Sequence, residues 1–541
     1  MDPVDALSRG VLLAGMLLSV ATLVALARPG GRWGVRLRRR LVLGVPWGTL
    51  LTVGLVLAVY LFVQAGLDHW YRPTTIPFRA WSYFYPLGIL TAGFSHVGPG
   101  HLIGNLLGTV VFGSLAEYAW SHFPTGRGAT SFATWRENPF VRIVAVPVVA
   151  AVVAIASGLF GLGPVIGFSG VVFAYAGFAL VRYPVATVVL LAAGDLVRLA
   201  YRSLRDPVVP TSGSVGYSTP WWADIAIQGH ALGLFIGFGL AVLLFRTRED
   251  LPTPGRIWLG AAAYAASQGL WAVYLFEGGD SYVLYRAAGL GLIFLLAALV
   301  TAAATASHRD LVARIDLSRR EAAVGLLFAV LFALALAAVP YSLVTVGDVA
   351  PDDGGVEVRD YTVFYAENVE DEYVAAYDFP IYDAGSVTTS GVIVTSEERQ
   401  VWYTAISRGR LAFAGERAVR VGGLGWRDAV VANRTGWNVV GNRTVYAVRL
   451  RHDGTETFAY ASNASRAEPT VAGRNVTFSA GEDGFTVAVT RRNETLATAP
   501  VPPANVSVRV GGLTLRRNGT RLFAERNGTS VRIATREQYR G

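Results

Sequence analysis

Five polar residues lie in or beside apolar segments of this 541-residue chain, and their types are suited to chemistry. His96, His101 and Asn105 occur in TAGFSHVGPGHLIGNLLG, Ser169 in PVIGFSGVVFAYAGFAL, and His230 in IQGHALGLFIGFG. Polar side chains at membrane depth are costly and are usually functional. An imidazole can activate a serine hydroxyl as a nucleophile. The three segments together therefore predict a hydrolytic site.

The spacing of small residues predicts how these side chains meet. Ser169 stands between Gly167 and Gly170 at the start of one apolar segment, and Gly233 and Gly237 share a side with His230. Small residues allow membrane helices to approach closely. We therefore expect Ser169 as nucleophile within hydrogen-bond distance of His230 as general base.

A serine nucleophile also needs donors for the oxyanion that forms during attack. His101 and Asn105 are spaced i, i+4 and share one helical face. Both carry side-chain N–H groups, and the backbone N–H of Ser169 has no intrahelical acceptor if Ser169 opens a helix. These three groups are the predicted oxyanion hole.

Composition indicates a polytopic membrane protein, because 52% of the residues are hydrophobic and the mean hydropathy is +0.41. The chain has no cysteine, which excludes disulfides, thiolate metal sites and thiol catalysis. We expect no cofactor and no metal, since no HExxH helix supports a site at His96, His101 and His230. All 47 basic residues are arginine and lie mostly beside apolar segments, which favours topology-setting charge over nucleic-acid binding.

Ten apolar segments are long enough, or nearly so, to cross a bilayer. They lie near residues 11–27, 41–66, 100–119, 140–160, 169–183, 185–200, 224–245, 257–276, 283–305 and 321–346. Arginines between residues 28 and 40 place the loop after the first segment inside the cell, which leaves both chain ends outside. A signal peptide is the alternative for the first segment, but Asp2 and Asp5 precede it and the arginines follow it, which favours an uncleaved helix.

The chain changes character after residue 346. Stretches such as VEVRDYTVFYA and FTVAVTRR alternate apolar with polar residues, which predicts a β-rich domain of sandwich or similar type. Eight Asn-X-Ser/Thr sequons predict an extracellular, N-glycosylated surface and, with no cysteine in the chain, an archaeal cell envelope. The sequon residues are Asn433, Asn442, Asn463, Asn475, Asn493, Asn505, Asn518 and Asn527.

The motifs FSHVGPGHLIGN, GFSG and GHALGLFIG together resemble the rhomboid intramembrane serine proteases over residues 41–246. The resemblance implies a six-helix core that cleaves a substrate's transmembrane segment with a Ser169–His230 dyad, helped by His101 and Asn105. It also implies that His96 lies in the outer turn of the same motif, that Glu117 is the acidic residue at the inner end of its helix, and that the His230 ring packs on Phe173. Gly167, Gly170 and Gly233 would line the site.

The sequence thus predicts four regions in a multi-pass protein of the cell membrane: an N-terminal helix and basic loop (1–40), the protease core (41–246), three further helices (247–346) and an extracellular β-rich domain (347–541). Its expected partners are the bilayer, a membrane-protein substrate and a cell-surface partner of the last domain. A catalytically silent scaffold is the alternative, although the complete Ser, His and Asn set argues against it. A transporter would need inverted repeats, and none is evident. His69, His122 and His308 are expected to be solvated or interfacial.

Overall fold

The computed structural model describes residues 3–27, 32–124, 126–208, 220–223, 225–245, 251–278, 281–307, 310–312, 317–347, 354–371, 373 and 388–540. His308 lies outside the described residues. The chain divides into two compact units. The first comprises Met1–Phe276 with Tyr282–Leu343, and the second comprises Glu277–Ser281 with Val344–Gly541.

The first unit is helical. Its helices are α1 (Pro3–Ala27), α2 (Arg32–Arg40), α3 (Trp47–Ala58), α4 (Pro86–Ala92), α5 (Pro99–Gly108), α6 (Ser114–Trp120), α7 (Pro139–Phe160), α8 (Ser169–Arg182), α9 (Pro184–Arg205), α10 (Ile227–Phe245), α11 (Pro254–Ser267), α12 (Arg286–Thr305), α13 (Arg319–Leu336) and α14 (Val339–Ser342). π-helical turns continue α3 over Val59–Val63 and join α5 to α6 over Thr109–Gly113. Two short strand pairs lie between the later helices: β1 (Tyr274–Gly278) with β2 (Ser281–Leu284), and β3 (Asp310–Val312) with β4 (Leu317–Ser318).

Seven helical segments among the described residues are long and apolar enough to cross a membrane. This confirms the polytopic helical fold, and Trp47–Val63 and Ser169–Arg182 are shorter apolar helices. The segment predicted at 257–276 differs, because α11 ends at Ser267 after 14 residues. Gly269 follows in the left-handed region with φ +74°, a conformation that stops a helix. At 1.5 Å per residue α11 spans only about 21 Å.

Proline and polar caps fix where helices begin. Pro99, Pro139 and Pro184 each occupy the first turn of a helix, where their missing N–H costs nothing. Asn138 caps α7 by accepting a hydrogen bond from Phe140 N (2.9 Å). Ser318 caps α13 in a capping box with Glu321.

A buried carboxylate caps a third helix from a distance. Glu117, on α6, accepts hydrogen bonds from Gly48 N (2.9 Å), Thr49 N (2.8 Å) and Thr49 Oγ1 (2.7 Å) at the start of α3. His122 Nε2 contacts the same carboxylate at 2.6 Å, while its Nδ1 accepts from Val42 N (2.9 Å). His122 is expected to be solvated or interfacial, and solvation is wrong: its side chain is fully buried, and both ring nitrogens have protein partners.

The second unit is built from strands, which confirms the β-rich C-terminal region. The strands are β5 (Val356–Val358), β6 (Tyr361–Glu370), β7 (Thr388–Ser396), β8 (Val401–Ser407), β9 (Glu416–Gly423), β10 (Trp426–Val439), β11 (Thr444–His452), β12 (Thr455–Ala461), β13 (Ser465–Arg466), β14 (Asn475–Gly481), β15 (Gly484–Arg491), β16 (Glu494–Pro500), β17 (Ser507–Val510), β18 (Leu513–Asn518), β19 (Arg521–Arg526) and β20 (Thr529–Arg536). One short helix, α15 (Arg408–Ala414), follows β8.

These strands form successive four-stranded antiparallel meanders, β5–β8, β9–β12, β13–β16 and β17–β20. The second and fourth meanders join where Trp437–Val439 of β10 pair with Ala534–Arg536 of β20. Alternate residues face inward, so that Val487 and Val489 of β15 are fully buried beside Val476 and Phe478 of β14. This alternation is the period-2 pattern of the sequence.

A carboxylate links the first two meanders. Glu367 of β6 accepts hydrogen bonds from Tyr365 Oη (2.7 Å) and from Tyr446 Oη of β11, and Arg408 Nη1 lies 3.4 Å away. Burial raises the pKa of the Glu367 carboxyl, but the hydrogen bonds from Tyr446 and Tyr365 and the charge of Arg408 outweigh burial, and the net effect lowers its pKa.

We predict that Glu367→Gln destabilises the second unit by about 1–3 kcal/mol at neutral pH, because the phenol donors lose a charged acceptor. A carboxyl whose folded pKa is depressed contributes stability above its unfolded pKa of about 4.3, and this contribution is lost as the pH falls through the folded value. The difference from the wild type should therefore shrink below pH ~4. Thermal unfolding of the full chain at several pH values, with proteolysis to assign the transition, measures this effect. The exposed Glu494→Gln is the control, and equal effects of the two variants would contradict the prediction.

Candidate functional site

Ser169 is the first residue of α8. It follows a turn in which Gly167 has φ +131°, a backbone conformation that favours glycine. Gly167 N donates to Ala92 O at 2.9 Å, which fixes this turn against α4. The N–H of a first helical residue has no acceptor within its own helix, and the helix dipole places positive potential there. Ser169 therefore lies where a developing negative charge is stabilised.

His230 lies in the first turn of α10, and its Nε2 is 2.8 Å from Ser169 Oγ. The predicted contact between hydroxyl and imidazole is thus present. Phe173, one turn along α8, stacks on the imidazole with ring centroids 4.3 Å apart and an interplanar angle of 14°. His230 Nδ1 is buried and has no hydrogen-bond partner among the described residues. Stacking and packing therefore orient this ring, without an acidic third residue in the described part of the chain.

Close approach of α8 and α10 makes this contact possible. A Cβ on Gly233 would lie 2.1 Å from Gly170 O, and a Cβ on Gly237 would lie 2.0 Å from Ala174 O. On the facing helix, a Cβ on Gly177 would lie 2.2 Å from Leu234 O. Each distance is far below any real Cβ contact, so the two backbones touch along their length. Only glycine allows this separation.

Small residues line a cavity beside the dyad. It opens against Ser169 and His230, and its other walls are Ala92, Gly93, Ser157, Gly158, Val165, Ile166, Gly167, Gly170, Ala226 and Gly229. Most of these side chains are absent or a single carbon, so that the cavity is bounded largely by backbone. Such a cavity admits a small apolar group next to the hydroxyl.

The predicted oxyanion residues, His101 and Asn105, are not among the described residues that line this cavity. The His101 ring packs on Gly167, where a Cβ would lie 2.5 Å from His101 Cε1. Asn105 Nδ2 is 3.0 Å from His96 Nε2. The His96 and His101 rings pack edge to face, with their ring centroids 5.1 Å apart. No hydrogen bond joins His101 or Asn105 to Ser169 in the described structure.

Gln64 is a residue that the sequence analysis missed. It follows the π-helical turn after α3, is fully buried, and clamps the backbone of His96: its Oε1 accepts from His96 N (2.7 Å) and its Nε2 donates to His96 O (2.9 Å). Gln64 thereby fixes the loop that carries His96, and through His96 it positions Asn105. The signal was available, because a glutamine at membrane depth is as unusual as a histidine.

Residues 84–247 match a family model, the Rhomboid domain. The chain contains a rhomboid domain. Searches of curated proteins and of solved structures gave no match. All five polar residues from the sequence motifs lie inside the rhomboid domain, whereas Gln64 and helices α11 to α14 lie outside the matched residues.

The predicted glycosylation residues lie on the second unit. Six are exposed: Asn442, Asn463, Asn493, Asn505, Asn518 and Asn527. Asn433 and Asn475 are half-buried, and Asn433 Nδ2 donates to Glu416 Oε2 at 3.2 Å. Asn493, Asn505 and Asn527 have positive φ values. Since asparagine tolerates left-handed turns, backbone conformation is a second explanation for asparagine at these three positions. Glycosylation stays a prediction.

We predict that Gly233→Ala destabilises the rhomboid domain by about 1–3 kcal/mol or more, because the new methyl group overlaps Gly170 O and must force α8 and α10 apart. Unfolding of the full chain in detergent measures this change. Gly194→Ala in α9 is the matched control, because nothing lies within 4 Å of its Cβ position. Equal stability of the two variants would show that α8 and α10 do not depend on this approach.

Proposed function

We propose that this protein is an intramembrane serine endopeptidase that cleaves transmembrane segments of membrane proteins. The rhomboid domain belongs to a family of intramembrane proteases. The observation that carries the finer proposal is the 2.8 Å contact between Ser169 Oγ and His230 Nε2 inside an apolar helical bundle. A half-buried hydroxyl and imidazole at this distance are the two groups that acyl transfer requires.

The dyad moves one proton in each half of the reaction. His230 carries its proton on Nδ1, and Ser169 Oγ–H donates to the Nε2 lone pair. As Oγ attacks the scissile carbonyl, the proton passes to Nε2, and the imidazolium then donates it to the leaving amide nitrogen. A water molecule next loses a proton to Nε2 as its oxygen attacks the acyl carbon, and the proton returns to Ser169 when the ester bond breaks.

The oxyanion formed in both halves faces three donors. Ser169 N–H supplies one, and the side chains of His101 and Asn105 supply the others. His96 Nε2 accepts from Asn105 Nδ2, which leaves the second hydrogen of that amide for the substrate. Gln64 and His96 are positioning residues in this scheme.

A transmembrane substrate must unwind locally, because a hydrogen-bonded helix hides its scissile carbonyl. The arginine distribution favours a site in the outer part of the bilayer, with the β-rich domain extracellular and carrying glycans, in the cell membrane of an archaeon. These placements rest on charge and sequons, and they belong to the proposal.

The proposal predicts that Ser169→Ala and His230→Ala each lower reporter cleavage by at least about 10³-fold. The assay uses proteoliposomes holding the full chain and a transmembrane peptide. Ser267→Ala, whose hydroxyl bonds to Tyr264 O, and the exposed His69→Ala are controls that should keep wild-type rates. Wild-type cleavage by both dyad variants would refute the proposal, and a wild type without activity would favour the silent scaffold.

The cavity of small residues predicts the residue that precedes the cleaved bond. Because its lining includes small residues such as Gly158 and Ala226, we expect the cavity to accept an alanine side chain and to exclude a phenylalanine ring. Exchanging alanine for phenylalanine at this substrate position should lower kcat/KM about 10- to 200-fold. The same exchange four residues away in the peptide is the control. Equal kcat/KM for alanine and phenylalanine would mean that the cavity does not receive this side chain.

A further inference from the structure

Helix α13 lies outside the matched rhomboid domain, yet it contacts the helix that carries His230. The Phe328 ring lies against Gly239 of α10, 3.4 Å from where a Cβ would be. At the far end, Ser342 of α14 accepts hydrogen bonds from Tyr83 N (2.8 Å) and Ser82 Oγ (3.1 Å) in the loop before α4. The added helices therefore touch two parts of the proteolytic core.

One side chain, Gln228 of α10, makes hydrogen bonds to both α7 and α13. Gln228 Nε2 donates to Leu334 O of α13 (2.6 Å) and to Phe160 O of α7 (2.9 Å), while its Oε1 accepts from Leu162 N (2.9 Å). Phe160 is the last residue of α7, and Leu334 lies in the last turn of α13. Carbonyls in these positions have no partner within their own helix. A single amide thus caps the ends of two helices.

The location of Gln228 gives this cap a consequence for the dyad. Gln228 is in the first turn of α10, two residues before His230. That turn has no other side-chain hydrogen bond to α7 or α13 in the described structure. His230 Nδ1 also has no hydrogen-bond partner in the described structure. The position of the imidazole ring relative to Ser169 therefore depends on the position of α10. A shift of α10 along its axis would lengthen the contact between Ser169 and His230.

We infer that Gln228 is a positioning residue for His230, and that α13 supports the reaction through it. The inference rests on the proposed endopeptidase function, since it assigns the support of that dyad. It makes a helix outside the matched domain a working part of the protease.

The test measures kcat and KM for the transmembrane peptide with the full chain in proteoliposomes. Gln228→Leu keeps the approximate volume and removes all three hydrogen bonds. It should lower kcat about 10- to 100-fold, because small misplacement of a base is costly, and leave KM within about twofold. Gln268→Leu is the matched control, because the Gln268 side chain has no hydrogen bond in the described structure, and it should keep wild-type kcat.

A second variant separates positioning from stability. The carboxylate introduced by Gln228→Glu can still accept a hydrogen bond from Leu162 N, but it regains a donor for one carbonyl only when protonated. The kcat of Gln228→Glu, divided by the wild-type kcat at the same pH, should therefore rise as the pH falls. A merely structural role leaves this ratio independent of pH.

Wild-type kcat for Gln228→Leu would overturn the inference, as would a flat pH ratio for Gln228→Glu. If Gln228→Leu does not fold, the variants Gln228→Glu and Phe328→Ala test the inference instead. Wild-type kcat in both of them would overturn the inference. Failure of the proposed function is distinguishable, because it shows as wild-type cleavage by Ser169→Ala rather than by the Gln228 variants.

Discussion

The contact of two helix backbones governs the rest of the site. Gly233 and Gly237 of α10 lie directly against the carbonyls of Gly170 and Ala174 in α8. In a bilayer, lipid chains are as apolar as leucine, so helices gain little from burying large side chains and associate through close packing of small ones. Because the backbones touch, short side chains on the two helices reach each other. Ser169 and His230 meet for that reason, and Phe173 is near enough to stack on the imidazole.

A second constraint is that buried polar groups need partners. Glu117 uses its carboxylate to cap the start of α3, Gln64 clamps the His96 backbone, and Gln228 caps two helix ends. Unmet, each of these groups would cost about 1–3 kcal/mol. The His230 Nδ1 and His101 Nδ1 atoms are among the exceptions: both are buried without partners among the described residues, and both belong to the candidate site. The candidate site therefore includes buried imidazole nitrogens with unmet hydrogen-bonding capacity.

Much of this architecture could be predicted from the sequence because the strongest signals are local. Apolar runs gave the long helices, alternation gave the strands, and glycines beside Ser169 and His230 predicted their approach. Contacts that depend on tertiary position could not be found that way. His122 looked like a loop residue because nothing nearby in sequence reveals that Glu117 and Val42 N meet its ring. Gln228 lies within the motif IQGHALGLFIGFG, but its partner Leu334 is more than a hundred residues away in the sequence. The motif alone therefore does not reveal this contact.

The account depends on Ser169 being a nucleophile activated by His230, and an active-site label tests this most directly. The full chain in native membranes is treated with a fluorophosphonate, and the adduct is located by mass spectrometry of peptides. We expect one adduct, on Ser169, which is lost in His230→Ala but kept in the exposed His69→Ala. An unlabelled Ser169 in the wild type, or equal labelling after removal of His230, would contradict the central claim.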